Sequence, residues 1–144
     1  MKSEIIEQLT KTDQLRRRSI DKEKIKSIIE SSTTNMKIVK TIALTEQSAI
    51  LIFRETYESI RQLGDAKWWL LGYEPRNHEV SLEILKEMDI QEKVRLNYLS
   101  WFKNIRNDAN YRGFKVTITQ AQEILNFWTV CSQEIIAALI KELK

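Results

Sequence analysis

The chain has 144 residues, among them three glycines, one proline and one cysteine. This length suggests one domain that buries a core without disulfides, and so few turn-forming residues exclude a β-sandwich or barrel. Charged residues make up 30% and hydrophobic ones 42%, as in a soluble globular protein, and the formal net charge of +3 permits nucleic-acid binding without requiring it.

The sequence also indicates where the protein is located and whether it binds a metal or cofactor. The longest apolar run is short of a membrane span, and the N-terminal "MKSEIIEQLTK" carries acids where a signal peptide would be apolar. We therefore expect a cytoplasmic protein with no membrane contact. Cys131 is interpreted as a small core residue, and His78 lacks the neighbours of a metal-binding motif. No metal or cofactor is predicted.

The first half of the chain has the apolar period of helices. Residues 1–18 have a helical pattern and end in the basic run "QLRRRS", which we interpret as the end of a helical appendage. A second helix is predicted between Ile25 and Ala43. A third begins at Ala49, and its apolar stripe has three- and four-residue spacing: Ile50, Phe53, Tyr57, Ile60, Gly64, Trp68 and Leu71.

Three more helices are predicted after the break "GYEPRN". Asn77 can cap a short helix that ends near Leu85. The next helix is predicted from Asp89 to Arg112, and the last from about Thr119 to Leu143, each opened by a capping box, Asp89 with Glu92 and Thr119 with Gln122. No alternating run of strand length competes. The predicted fold is all-α, a single-domain up-and-down helical bundle of about five helices.

The predicted helix from Asp89 to Arg112 has two apolar stripes, about a third of a circle apart. The main stripe is Val94, Tyr98, Trp101, Ile105 and Ala109, and the second is Leu99, Phe102, Arg106 and Asn110. Two interpretations remain open. Either the helix is central in the bundle, or Leu99 and Phe102 lie in the seam of a symmetric dimer with Arg106 at its rim.

This helix ends in "IRNDANYRGF", which contains an unusual polar cluster. Arg can donate two parallel hydrogen bonds to a phosphate, Asn both donates and accepts hydrogen bonds, and a Tyr ring can stack on a base. Arg106, Asn107, Asn110 and Tyr111 are therefore candidates for binding RNA or a nucleotide. The alternative is a capped, solvated helix end, which spacing alone favours.

The segment "RNDANYRG", the following "TITQAQEIL" and the earlier "LLGYEPRNHEVSLEIL" together resemble the HEPN superfamily over residues 22–143. The resemblance implies an HEPN-like helical bundle, a homodimer, and a cleft lined by the Arg motifs of both protomers. Many members are metal-independent endoribonucleases, often toxins of toxin–antitoxin systems paired with a nucleotidyltransferase. Others bind RNA or nucleotides without cleaving them.

One departure from the family limits the catalytic prediction. Catalytic members carry Arg, four to six residues, and then His. Arg106 matches the Arg and Asn107 the polar residue after it, but Tyr111 stands where His is expected, and tyrosine is a poor base near neutrality. His78 could substitute only if the fold brings it near Arg106.

Three functions follow from these residues. The first is an RNA- or nucleotide-binding module. The second is an endoribonuclease that uses Arg106 and Tyr111 with His78. The third is a protein-interaction subunit without a nucleic-acid role.

Overall fold

The computed structural model describes all 144 residues. It contains six α-helices, α1 to α6 in chain order, a 3-10 helix at Lys93–Asn97, and two three-residue strands, β1 (Leu15–Arg17) and β2 (Tyr73–Pro75). The helices span Ser3–Lys11, Lys22–Val39, Ala49–Leu70, His78–Leu85, Tyr98–Tyr111 and Ile118–Leu143. The predicted all-α class is confirmed at this level.

Helix α3 is the centre of the fold and packs against α2, α4 and α6. Aromatic rings tie it to the last two helices. Phe53 of α3 meets Phe102 of α5 edge to face at 6.2 Å between ring centres, and Phe102 meets Phe127 of α6 at 5.6 Å. Such pairs add to the free energy of area burial and fix α5 in the bundle.

Of three predicted capping signals, one is confirmed and two are wrong. Asn77 caps α4 as predicted, its side chain accepting a hydrogen bond from the backbone N–H of Val80 at 3.0 Å. The predicted helix start at Asp89 is wrong, because α5 begins only at Tyr98, after the 3-10 helix. The capping box of α6 is formed by Thr117 and Gln120, two residues earlier than predicted.

The second error has a clear physical origin. "TITQAQ" contains the capping-box spacing twice, so the local sequence cannot choose between the two boxes. The core makes the choice. Val116 and Ala121 flank the first turn and are both buried, as in a hydrophobic staple.

The prediction of one helix through the N-terminal segment is also wrong. α1 ends at Lys11, and Asp13 turns the chain with a positive φ of 59°. The basic run then forms β1, which pairs antiparallel with β2 and matches Leu15 to Pro75. Leu15 is fully buried in a small second core with three residues of the main bundle, Trp68, Val80 and Ile84. Burial of this one side chain explains why the helix does not continue.

Helix α6 is long and apolar enough to cross a membrane by length and composition alone. No membrane span is expected from the sequence, because polar residues interrupt every apolar run, including those of this helix. In the fold α6 packs against α3 and contributes to the core. Its buried residues are Ala121, Ile124, Phe127, Trp128, Cys131, Ser132, Ile135, Leu139 and Leu143.

α3 and α4 touch backbone to backbone at one point. A Cβ atom on Gly64 would overlap the backbone carbonyl group of Ser81, so only glycine permits this approach. Two hydrogen bonds hold the contact. Trp68 Nε1 donates to the carbonyl oxygen of Val80 at 2.8 Å, and Ser81 Oγ donates to Asp65. The contact determines where the first turn of α4 lies.

Gly64→Ala should destabilise the protein by about 3 kcal/mol, because the added methyl forces two packed helices apart. Gly113→Ala is the matched control. Gly113 has a positive φ of 69° but no atom within 4 Å, so a Cβ there should cost only about 1 kcal/mol of backbone strain. Denaturant unfolding measures both, and equal losses would contradict the close-contact argument.

Candidate functional site

A cleft of about 540 Å³ opens where the N-terminus of α4 faces the C-terminal half of α5. α3 forms its floor. Eight residues line the cleft: Tyr57, Asn77, His78, Glu79, Lys103, Arg106, Asn107 and Tyr111. Three distant segments of the chain therefore meet at one surface.

Three of the four predicted ligand-binding residues line this cleft. Arg106 and Asn107 are half-buried, and Tyr111 is 78% exposed at the end of the helix. Asn110 is exposed and does not line the cleft. Side chains on a helix point back toward its N-terminus, so the long Tyr111 ring reaches the cleft, whereas the shorter Asn110 amide does not.

The predicted dimer-interface residues lie elsewhere. Leu99 and Phe102 are 1% and 2% exposed and belong to the core of the single chain, so they cannot line a seam between two chains. The dimer interpretation expected the stripe of Leu99 and Phe102 to face a partner. In the structure this stripe is buried, and residues of the other stripe are exposed instead. Val94, Tyr98 and Trp101 form the exposed side, at 79%, 45% and 39%. Aromatic residues with polar tips tolerate this partial exposure better than Leu or Phe.

His78 lies on the same cleft as Arg106, which is the condition under which it becomes a catalytic candidate. Burial lowers the pKa of His78, and the positive charges of Arg61 and Arg106 lower it further. The imidazole is therefore neutral at pH 7 and can accept a proton.

The cleft contains two cations without ionic partners. Neither Arg106 nor Lys103 forms a salt bridge within the chain. The guanidinium carbon of Arg106 lies 5.5 Å from the centre of the Tyr57 ring, a cation–π contact that orients the group without neutralising it. An anionic ligand would supply the missing charge.

Sequence reasoning missed four of the lining residues. Tyr57 was predicted as a core residue, because it lies in the apolar stripe of α3. The spacing of that stripe does not indicate that its hydroxyl lies at a cleft. Lys103 was detectable, because it is three and four residues before Arg106 and Asn107 and so shares their face. Asn77 has a structural role beside the cleft, since its side-chain amide also donates a hydrogen bond to Gln14 Oε1 at 2.9 Å. Glu79 is the one acidic residue that lines the cleft.

A partly buried ionic network lies on α3 and reaches α4 through Ser81. Arg61 pairs with both Glu58 and Asp65, and Asp65 also accepts the hydrogen bond from Ser81. Burial raises the pKa of Asp65 more than Arg61 and Ser81 lower it. Burial also raises the pKa of Glu58, but its hydrogen bond and attraction to Arg61 outweigh that effect, and the net pKa is lowered. The network joins α3 to the first half of α4.

A larger cavity of about 720 Å³ lies between the α2–α3 connection and the start of α6. It is lined by Glu46, Gln47, Ile50 and residues 115–119, with one acid and one base. It has neither a histidine nor a pair of cations. The smaller cleft is the better candidate because it brings together groups that bind anions and transfer protons.

No group of three or more His, Cys, Asp and Glu residues in the chain could hold a metal ion. The donors of the cleft are mainly cationic and suit an anion. Comparison with known proteins adds no constraint, since no family model, curated protein or solved structure matches this chain. The function is therefore argued from the cleft.

Arg61→Met should destabilise the fold by about 3 kcal/mol, because it leaves the buried carboxylate of Asp65 without its counter-charge. Adding Asp65→Asn should recover part of that loss. Arg54→Met, an exposed change on the same helix, is the control and should stay within about 0.5 kcal/mol of the parent. Urea unfolding of the four proteins measures this. A double variant as unstable as the single one would argue against the charge explanation.

Proposed function

We propose that this chain is an HEPN-like RNA- or nucleotide-binding module whose ligand lies in the α4–α5 cleft. The observation that carries the proposal is the pair of unpaired cations, Arg106 and Lys103, beside the exposed ring of Tyr111. An unpaired, half-buried Arg costs free energy in the absence of a ligand. A phosphate group would provide its partner.

Each lining group matches a part of a nucleotide. Arg106 can fork onto two phosphate oxygens, and Lys103 adds a point charge. The Tyr111 ring offers a flat surface on which a base can stack, as aromatic residues do in single-strand recognition. Asn107 can donate to and accept from a base edge. Together these groups favour single-stranded RNA or a nucleotide over a purely apolar ligand.

The resemblance supplies the biological setting of the proposal. It implies a cytoplasmic homodimer, and a nucleotidyltransferase as partner within a toxin–antitoxin pair. With Leu99 and Phe102 in the core, we propose that a second copy contacts the exposed side formed by Val94, Tyr98 and Trp101. Tyr98 and Trp101 lie on the same helix as Arg106, and Val94 lies in the 3-10 helix just before it, so a partner there would stand near the cleft.

Endoribonuclease activity is the second candidate, favoured by the position of His78 on the cleft with Arg106. Neutral His78 would take the proton from the ribose 2′-hydroxyl, and that oxygen would attack the phosphorus. The P–O5′ bond breaks, and the leaving oxygen takes a proton, for which the Tyr111 phenol is the available donor. The products are a 2′,3′-cyclic phosphate and a 5′-hydroxyl. Arg106 would stabilise the charge of the pentacoordinate phosphorus.

Arg106→Ala should weaken binding of a mixed-sequence single-stranded RNA by about ten-fold and reduce the slope of log affinity against log salt by about 0.7, the value for one phosphate contact on a single strand. Fluorescence anisotropy at several salt concentrations measures both quantities.

Arg95→Ala is the matched control, because Arg95 precedes α5, pairs with Glu92 and does not line the cleft. It should bind RNA as the parent does. If neither RNA nor nucleotides bind the parent chain in a salt-dependent manner, the protein-interaction function replaces the proposal.

If the chain cleaves RNA, it should do so in the presence of a chelator, and His78→Gln should abolish cleavage while RNA binding remains. Because the pKa of His78 is lowered from 6.5, the rate should rise with pH only below that value and be level at neutrality. Intact RNA after incubation with the parent chain would exclude the enzyme and leave the binding module in place.

A further inference from the structure

Tyr57 is the least expected member of the cleft. Its side chain is only 3% exposed, and its ring stacks on Phe53 at 6.4 Å between ring centres. No side-chain hydrogen bond within the chain involves its hydroxyl, and Tyr57 belongs to the lining of the cleft. The oxygen is not sealed from solvent, since the one fully buried side-chain polar atom without a partner is Glu74 Oε1. The hydroxyl is therefore free to bind water or a ligand in the cleft.

The surroundings of the ring show how Tyr57 reaches the cleft. Arg106 and Glu79 line the cleft together with Tyr57, and the guanidinium carbon of Arg106 lies 5.5 Å from the centre of the Tyr57 ring. The ring is 3% exposed, so Tyr57 reaches the cleft from the core. Burial raises the pKa of Tyr57 to about 12, so the group keeps its proton and acts as a donor.

A second set of donors converges on the same place. The first backbone N–H groups of a helix have no carbonyl partner within it, and they carry the positive end of the helix dipole. In α4 the Asn77 side chain takes the N–H of Val80. The N–H groups of His78 and Glu79 remain, on residues that line the cleft.

We propose that the Tyr57 hydroxyl and the first-turn N–H groups of α4 form a phosphate seat, in which they bind one non-bridging oxygen while Arg106 binds the other. This inference deepens the proposed function and rests on it. The seat combines neutral donors with one guanidinium group, which suits a tetrahedral phosphorus group with oxygens in two directions.

The charge around the seat selects the type of phosphate. Glu79 lines the cleft and forms no salt bridge within the chain, whereas Glu58 is paired with Arg61. Glu79 repels a second negative charge on the ligand. A phosphodiester, with one negative charge, is therefore favoured over a phosphomonoester or free inorganic phosphate, which carry about 1.5 to 2 negative charges at pH 7. The ligand class is an internal RNA linkage.

Tyr57→Phe tests the seat, because it removes one oxygen and leaves the ring under Arg106. Its affinity for single-stranded RNA should fall about five- to ten-fold at every salt concentration. The salt slope should stay that of the parent, since no charge is removed, whereas Arg106→Ala reduces it. The melting temperature of Tyr57→Phe should equal that of the parent, because the ring stays in place and the hydroxyl makes no hydrogen bond within the chain.

Tyr73→Phe is the control, the same chemical change on a half-buried residue of β2 that lies outside the cleft. It should leave RNA affinity unchanged. Inorganic phosphate, added at constant ionic strength, should not displace RNA from the parent chain. Displacement would overturn the selection for a diester.

The remaining outcomes separate the two proposals. Parent affinity in Tyr57→Phe, with weakened binding in Arg106→Ala, would overturn the seat and keep the binding module. Lost affinity together with a lowered melting temperature would assign Tyr57 a structural role and also overturn the seat. Failure of the parent chain to bind RNA at any salt concentration would remove both.

Discussion

The structure depends on the backbone contact between α3 and α4 at Gly64 and Ser81. Only a residue without a Cβ lets the helices approach so closely, and the hydrogen bonds from Trp68 and Ser81 lock the approach. This contact places the start of α4 opposite the end of α5. Without it, His78 and Arg106 would have no reason to share a cleft, since they are far apart in the chain.

The charges of the site fall into two groups. On α3, Arg61 is paired with Glu58 and Asp65, and this network stabilises the packing of α3 on α4. In the cleft, Arg106 and Lys103 have no ionic partner within the chain. A ligand that binds them would stabilise the folded state. This contrast between paired and unpaired cations is the basis of the proposed binding function.

Local signals predicted the fold where they were unique. The three- and four-residue spacing of α3 and the Asn77 cap are decided by neighbours within one or two turns, and both were placed correctly. The signals failed where the chain offered two equivalent choices. "TITQAQ" contains two capping boxes, and the helix that includes Leu99 has two apolar stripes. In each case the core selected one of them by burying specific side chains. The strand at Leu15 was missed for a different reason, because its pairing partner is 60 residues away in the sequence.

The sequence by itself determined the helical class, the position of the polar cluster at the end of α5, and Arg106, Asn107 and Tyr111 as its members. These depend on periodicity and residue chemistry, which are local properties. Tertiary structure alone decided that His78 joins them, that Asn110 does not, and that the largely buried Tyr57 lines the cleft. Those facts depend on how α4 sits against α3, a contact made possible by one glycine whose importance no local pattern reveals.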